Sequence, residues 1–346
     1  MTARRLTLIA AATMLAGSAH AASLTAAQVL QQFNVVALDS FQTSSHVDGR
    51  SYVGGNLSGN GAVLSMHPNQ LPASSYAGLT VAGSVSGVQV TDGGVYVGGN
   101  ISNSTVNKGQ SVIEGSSSNT SYNGNGVFYV GGAVSGGNLN QTRVSTLTSL
   151  QSAYVNAAGS TDLSHVLHGL SYYLGQLPST GSTVSFSNDN HTVTFNAKAD
   201  ANGVAVFDLT TLDTQIFSST TTDFIFNMNG AQGAVLNTND KSLSLTANFN
   251  RTDLGSKIVW NFEGATSVTV NRTFDGQVLA VDGTFSNLGG ANVEGGVYAK
   301  DILSAGEIHQ QSLAAPIPEP ETYAMLLAGL GMVGVIARRR QRAAAR

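Results

Sequence analysis

The chain has 346 residues, of which 40 are glycine, and this composition is typical of turns and strands rather than helices. It contains no cysteine, which excludes disulfides, thiol catalysis and cysteine metal sites. The formal net charge is −4, but eighteen acidic and nine basic residues lie between Ala22 and Ile317, and this segment's charge of about −9 disfavours nucleic acid and anionic lipid as partners.

The N-terminus has the three parts of an export signal. Arg4 and Arg5 are followed by a short apolar run, and Ala19 and Ala21 then give the small-x-small pattern that signal peptidase reads. The apolar run is too short to be a permanent membrane span. The sequence therefore predicts a signal peptide over residues 1–21 and an exported mature protein.

One short motif recurs along the body, with a strand on each side of a Gly-Gly pair. The clearest copies are residues 51–58, 95–102 and 128–135, and a fainter copy is 296–302. Glycine suits tight corners because it adopts positive φ at little cost. Repeated strand–Gly–strand units favour rungs of a β-solenoid, and a β-sandwich is the alternative, since turn spacing alone does not separate the two.

A helical segment interrupts the pattern at residues 139–177. Val144, Leu147, Leu150 and Tyr154 follow helical spacing, and a second such stretch begins at Leu163. A break at 159–162 ends with an N-cap signal, so the segment forms one long helix or two shorter ones beside the solenoid. After Pro178 the two-residue alternation of half-buried strands resumes.

The C-terminal segment has a stiff, proline-rich start at residues 316–321 and an uncharged stretch at 322–337. Sixteen helical residues span about 24 Å, slightly less than a bilayer core of about 30 Å. We expect a single transmembrane helix there, with the basic end at 338–346 on the cytoplasmic side. The basic residues of the signal are Arg338, Arg339 and Arg340, followed by Arg342.

This tail resembles the PEP-CTERM sorting signal of Gram-negative bacteria: a Pro-Glu-Pro motif at Pro318, Glu319 and Pro320, a short apolar span and terminal arginines. The resemblance implies recognition by an exosortase, an inner-membrane stage before processing, and an association with exopolysaccharide and biofilm. A simple tail anchor would give the same topology without the processing step.

The body, residues 22–315, resembles the choice-of-anchor A domain of exported bacterial proteins. The first matching stretch opens at 33–38, and the second runs from 258 to 299. The positions that carry the family signature are Asp48, Gly49, Gly54, Gly55, Asn56, Gly276 and Gly295.

The second stretch is also similar to the end of bacterial ice-binding-type domains, and residues 150–159 resemble the start of the helix in that family. The resemblance implies a mainly β fold, a right-handed discontinuous β-solenoid with a helix along one side. It bears on fold more than on activity.

Candidate chemical groups are few. His165 and His168 are a possible metal pair, but their spacing suggests no third ligand. Asp39, His46 and Arg50 cluster in sequence with Asp48, for which we expect a turn-shaping role beside Gly49. The sequence therefore predicts no catalytic residue, no metal site and no cofactor.

The leading hypothesis is a non-enzymatic structural or adhesive protein of the cell surface or biofilm matrix, with signal peptidase and exosortase as processing partners. Exopolysaccharide or other surface proteins are its candidate ligands. The alternatives are an ice-binding protein and a β-helix enzyme acting on polysaccharide. Ice binding requires ranks of Thr or similar residues, and those at Thr192, Thr194 and 220–222 do not repeat regularly.

Overall fold

The computed structural model describes residues 23–67, 70 and 72–317. The helices are α1 (Ala26–Gln32), α2 (Ser149–Ala158), α3 (Leu163–Gly175) and α4 (Asp213–Ile216). The strands before α2 are β1 (Val35–Ala37), β2 (Phe41–Thr43), β3 (His46–Val47), β4 (Ser51–Val53), β5 (Leu57–Leu64), β6 (Leu79–Val81), β7 (Val85–Val90), β8 (Val95–Val97), β9 (Ile101–Ser102), β10 (Thr105–Val106), β11 (Ser111–Ile113), β12 (Ser117–Ser118), β13 (Ser121–Tyr122), β14 (Val127–Val130), β15 (Val134–Ser135) and β16 (Thr142–Val144). The strands after α3 are β17 (Thr183–Phe186), β18 (Thr192–Asn196), β19 (Val204–Asp208), β20 (Asp223–Asn227), β21 (Gly233–Thr238), β22 (Ser242–Leu245), β23 (Asn248–Phe249), β24 (Ile258–Phe262), β25 (Ser267–Val270), β26 (Phe274–Asp275), β27 (Gln277–Asn287), β28 (Val293–Glu294), β29 (Val297–Ser304) and β30 (Ile308–His309).

These strands stack as rungs of a parallel β-solenoid with three faces, except β17, which pairs antiparallel with β18. The first face follows the order β19, β21, β24, β27, β29, β1, β4, β6, β8, β11, β14 and β16. The second face follows the order β22, β25, β27, β29, β2, β5, β7, β9, β12 and β15. The third face contains β18, β20, β23, β26, β28, β30, β3, β5, β7, β10 and β13. The long strands β5, β7, β27 and β29 each turn a corner and contribute to two faces.

The solenoid is discontinuous, because the first and last rungs of the chain meet in its middle. Strand β1 pairs with β29 on the first face, β2 pairs with β29 on the second, and β3 pairs with β30 on the third. We call this junction the seam. The chain builds one half of the stack up to β16, and α2 and α3 then return along the first face, so that the later strands build the other half.

Two apolar cores result. The first lies inside the solenoid, where Val is the most frequent residue before the helices and most of the buried aromatic rings lie after them. Trp260 is fully buried there, with ring centroids 5.5 Å from Phe274 and 5.8 Å from Phe195. The second core lies between the outside of the first face and the helices, and joins residues such as Val36 and Leu170. Each fully buried Val or Leu side chain contributes about 1.5–3 kcal/mol to the free energy of unfolding.

Local signals fix where the helices begin. Thr25 and Thr148 each form a capping box with the Gln three residues later, and the carboxylate of Asp162 accepts a hydrogen bond from the His165 N–H at 2.9 Å. The break at residues 159–162 therefore separates two helices, α2 and α3, instead of lying within one long helix. These caps satisfy N–H groups that have no partner within the first helical turn.

The prediction of a helical segment from residue 139 was wrong at its start. Val144 belongs to β16 and pairs with Tyr129, and α2 begins only at Ser149. Helix α1 was not predicted. In the described part of the chain no helix is long and apolar enough to cross a membrane, and the expected span at 322–337 lies outside that part. The parallel stack rules out the β-sandwich alternative, while the handedness of the solenoid stays a prediction.

Candidate binding face of the solenoid

A column of hydroxyl groups runs along the outside of the second face. In the half before the helices it consists of five serines in register on consecutive rungs, namely Ser58, Ser86, Ser102, Ser118 and Ser135. Their neighbours Leu57, Val85 and Ile101 point into the core, so the alternation of the strand directs the serines outward. Rungs are about 4.8 Å apart, so this serine column presents one hydroxyl at each such step.

The same column continues beyond the seam. Ser286, Thr269 and Ser244 occupy the equivalent positions on the other half of the stack. Only Leu303 and Gln42, on the two rungs of the seam, interrupt it. The face is therefore polar and uncharged at these positions over both halves of the solenoid.

The corner before the serine column is held by a ladder of side chains. Asn56 Oδ1 accepts a hydrogen bond from the Ser84 N–H at 2.8 Å, and Ser84 Oγ accepts one from the Asn100 N–H at 3.1 Å. Asn100 Oδ1 then accepts one from the Ser116 N–H at 2.7 Å. Each rung thus fixes the position of the next one, which keeps the serines aligned.

The Gly-Gly pairs occupy this corner for a different reason from the one predicted. Neither Gly54 nor Gly55 has a positive φ. Instead, a Cβ on Gly55 would lie 2.7 Å from the carbonyl oxygen of Asp39, and one on Gly54 would meet the carbonyl of Leu38. These glycines therefore allow close approach between rungs.

The remaining signature glycines lie at another corner, between the third and first faces. Gly276 and Gly295 do have positive φ, of 131° and 151°, and a Cβ on Gly276 would lie 2.6 Å from the Trp260 ring. A Cβ on Gly49 would lie 2.6 Å from Cβ of Asn34. Asn34 occupies this corner at the seam, where its Nδ2 donates to the Gly295 carbonyl at 2.8 Å and its Oδ1 accepts from the Gly49 N–H at 3.0 Å.

The early polar residues serve separate structural contacts rather than one acid–base site. Arg50 is buried and donates to the carbonyls of Gln32 and Ala77, at 3.0 and 3.2 Å, and this burial lowers its pKa to about 10. Asp48 binds His67 at 2.9 Å and accepts from the Gln310 N–H at 3.2 Å.

His46 and Asp39 are separate from this pair. His46 lies on the third face, with its Nδ1 3.2 Å from Glu307 Oε1. The Asp39 N–H donates to the Lys300 carbonyl at 2.8 Å across the seam.

The two helix histidines are also apart. His165 contributes its backbone N–H to the cap of α3, whereas the ring of His168 lies 3.4 Å from Asp282. Within the described ranges, no group of three or more His, Asp or Glu residues is arranged to hold a metal ion.

The processing residues lie outside the part of the chain that the structure describes. They are Ala19, Ala21, Pro318, Glu319, Pro320, Arg338, Arg339 and Arg340. The described chain ends at Ile317, after a segment that crosses several rungs. The N–H groups of Ala314 and Ala315 donate to the Ser256 carbonyl, and Ala315 lies beside Gly233.

Sequence reasoning missed the serine column. The threonines that it did consider form no such column, because Thr192 and Thr194 lie opposite Asp223 and Ile225 on the next rung. The signal was present, because Ser58, Ser102 and Ser135 are the last residues of the three clear motif copies. The other two serines lie on rungs without the full motif, so only the register reveals them.

The described residues thus form a parallel β-solenoid, a fold whose stacked repeats create extended surfaces. Residues 26–310 match the family model of the ice-binding-like adhesive domain, and residues 316–341 match the PEP-CTERM protein-sorting motif. The chain therefore belongs to the ice-binding-like adhesive family and carries an exosortase sorting signal, which supports export to the cell surface. No curated protein and no solved structure matches the chain. The resemblances to the ice-binding-type domains and to the PEP-CTERM sorting signal are therefore confirmed. The choice-of-anchor A assignment is compatible with these two matches.

Proposed function

We propose that the protein is a non-enzymatic adhesin of a Gram-negative cell surface or biofilm matrix, and that its serine column contacts the matrix. The observation that carries the proposal is the register of five serines on consecutive rungs. Membership of an adhesive family and the sorting motif support the destination.

The hydroxyl column suits adhesion through many weak contacts. A single hydroxyl exchanging water for a ligand contributes only about 0.5–1.5 kcal/mol. A polymer or surface that meets several serines at once gains avidity without any strong individual contact. Exopolysaccharide, which is rich in hydroxyl groups, fits such a face.

The sorting tail defines how the protein reaches the surface. We propose that signal peptidase removes residues 1–21, that the apolar segment 322–337 holds the chain in the inner membrane, and that an exosortase cuts near Pro318–Pro320. The solenoid body then corresponds to residues 22–315. Mass spectrometry of the mature C-terminus tests this step, and a C-terminus at Arg346 would contradict it.

Gene deletion with complementation tests the adhesive role. Cells that lack the gene should aggregate less and bind less matrix, and the wild-type gene should restore both. A gene carrying Ser86→Val, Ser102→Val and Ser118→Val should not restore them, although valine suits a strand. A matched control is Thr105→Val on the third face, which should complement fully. Unchanged aggregation and matrix binding in the deletion strain would refute the proposal.

Ice binding is a second candidate, favoured by the regular hydroxyl spacing and by the ice-binding-like character of the family. Measurement of the thermal hysteresis of the mature protein distinguishes ice binding from matrix adhesion. A difference between the melting and freezing temperatures of ice that disappears in the triple serine variant would support ice binding. The absence of any difference with the wild type would exclude it.

A further inference from the structure

Tyrosines occupy every second rung on the outside of the first face, in the half before the helices. The register follows Tyr52, Thr80, Tyr96, Val112 and Tyr129 on consecutive rungs. Alternate rungs are about 9.6 Å apart, so the backbone positions of the three tyrosines repeat at that distance. All three tyrosines are half-buried, whereas Val112 is fully covered.

These tyrosines line two cavities on the first face, which share no lining residue. Tyr52 and Tyr96 line a cavity of about 250 Å³, which Val155 and Ala158 of α2 bound on one side and the Gly98 corner bounds on the other. A second cavity on the same face, of about 360 Å³, contains Tyr129 and Arg143. We call the two cavities together the tyrosine groove.

The tyrosine groove also contains polar groups that are held in place by hydrogen bonds. The Tyr96 hydroxyl donates to Glu114 Oε1 at 2.9 Å, which fixes the ring. Arg143 Nη2 donates to the carbonyls of Val130 and Gly132, at 2.9 and 3.1 Å. Aromatic side chains beside fixed polar groups are typical of a ligand site.

Thr80 provides an independent indication of a ligand. Its side chain is only 1% exposed and lines the groove between Tyr52 and Tyr96. Its Oγ1 has no hydrogen-bond partner among the residues that the structure describes. Leaving a buried hydroxyl unpaired costs free energy, so a group entering the groove that pairs with it would recover that cost.

We infer that the tyrosine groove binds one strand of an extended, neutral, β-1,4-linked polysaccharide. The C–H faces of pyranose rings stack on aromatic side chains, and in an extended β-1,4-linked chain every second sugar presents the same face. The two-rung repeat of the tyrosines matches such a disaccharide repeat. The negative charge of the body and Glu114 beside Tyr96 both disfavour a polyanion. The inference rests on the proposed adhesive function and gives it a second, glycan-specific site.

Titration calorimetry of the mature chain, purified from the bacterium that exports it, tests the inference. Cellohexaose is the probe, and the α-1,4-linked maltohexaose is the control ligand. Cellohexaose should bind, and Tyr52→Ala, Tyr96→Ala or Tyr129→Ala should each weaken it by about tenfold. Tyr172→Ala is the matched control, because Tyr172 lies on α3 outside the groove and is 65% exposed.

Two further variants separate loss of the ligand from loss of the fold. Tyr96→Phe keeps the ring and should stay within about twofold of the wild-type affinity. Thr80→Val should weaken cellohexaose while raising the melting temperature, because it removes an unpaired buried hydroxyl. A purely structural role of Thr80 would not produce these opposite changes.

The outcomes distinguish this inference from the proposed function. No binding of cellohexaose, equal binding of maltohexaose, or unchanged binding by Tyr96→Ala would overturn the glycan assignment. The adhesive role would still be tested by the triple serine variant, because the serine column lies on another face. Loss of adhesion in the triple serine variant with cellohexaose binding intact supports two separate sites.

Discussion

Val35 lies opposite Val297 in parallel register, so the first strand of the chain is the direct neighbour of its last long strand. The solenoid is thus closed in its middle by contacts between the two ends of the domain. The continuation of the serine column into the later half depends on this seam, because the seam aligns the rungs of the two halves.

Tyr298→Phe should destabilise the seam. The Tyr298 hydroxyl is fully buried and lies 2.8 Å from the carbonyl of Phe33 and 3.1 Å from that of Leu30. Removing it leaves buried carbonyls without their donor, at a cost of about 1–3 kcal/mol in the free energy of unfolding. Urea denaturation measures the loss, and the exposed Tyr172→Phe serves as control. Equal stability of both variants would contradict the role of this hydroxyl.

Gly55→Ala should destabilise the corner by about 1–3 kcal/mol, because the added methyl group overpacks against the Asp39 carbonyl of the neighbouring rung. The control is Gly169→Ala in α3, where a Cβ meets no atom within 4 Å. That change should stabilise the protein by about 0.5–1 kcal/mol, since glycine is unfavourable within helices. Thermal unfolding distinguishes the two, and a neutral Gly55→Ala would show that the corner can relax.

The His309 cluster on the third face should make stability depend on pH. His309 lies 2.6 Å from Glu294 and 2.8 Å from Glu307, and His46 of the neighbouring rung also contacts Glu307. Burial alone would lower the pKa of His309, but its hydrogen bonds to the two glutamates outweigh burial and raise it above 6.5. The hydrogen bond from His309 lowers the pKa of Glu307 below 4.5.

The direction of the pH effect follows from these shifts. The contribution of His309 is complete below 6.5 and is lost as pH rises through its raised pKa, and that of Glu307 is lost as pH falls through its lowered pKa. The melting temperature of the wild type minus that of His309→Gln should therefore be greatest between pH 4.5 and 6.5. A difference that stays constant from pH 4 to about pH 9 would contradict this account.

Asp275→Asn should stabilise the protein at neutral pH and above. Burial raises the pKa of Asp275 from 3.8 to about 7, so the folded state resists ionisation of this carboxyl. The free energy of unfolding contributed by Asp275 falls as pH rises from 3.8 through about 7. The asparagine variant retains an oxygen for the Gly255 N–H, which donates to Asp275 at 2.6 Å. The melting temperature of the variant minus that of the wild type should be larger at pH 8 than at pH 5, and an equal difference at both values would exclude the effect.

Local patterns predicted the rungs but not their alignment. The Gly-Gly motif and the two-residue alternation indicated strands and corners, and Asp162 indicated the start of α3, because these signals act within a few residues. The seam joins Val35 to Val297, and no local pattern specifies a contact of that sequence separation. Val144 was assigned to a helix because its spacing from Leu147 is helical, although its pairing with Tyr129 makes it a strand residue.

The serine column could not be predicted from the sequence because the rungs differ in length. The corner residues Asn56 and Ser84 are 28 residues apart, whereas Ser84 and Asn100 are 16 apart. The serines that follow them therefore have no fixed period in sequence, although they are neighbours in space. The tyrosine groove was hidden for the same reason, since it also needs α2 placed beside the strands.

Retention of the purified mature protein on exopolysaccharide from the producing bacterium tests the central claim most directly. The bound fraction should fall by about fivefold or more when Ser86, Ser102 and Ser118 are all replaced by valine, since the multivalent contact is lost. Thr105→Val should bind as the wild type does. Equal retention of the triple variant and the wild type would contradict the assignment of adhesion to the serine column.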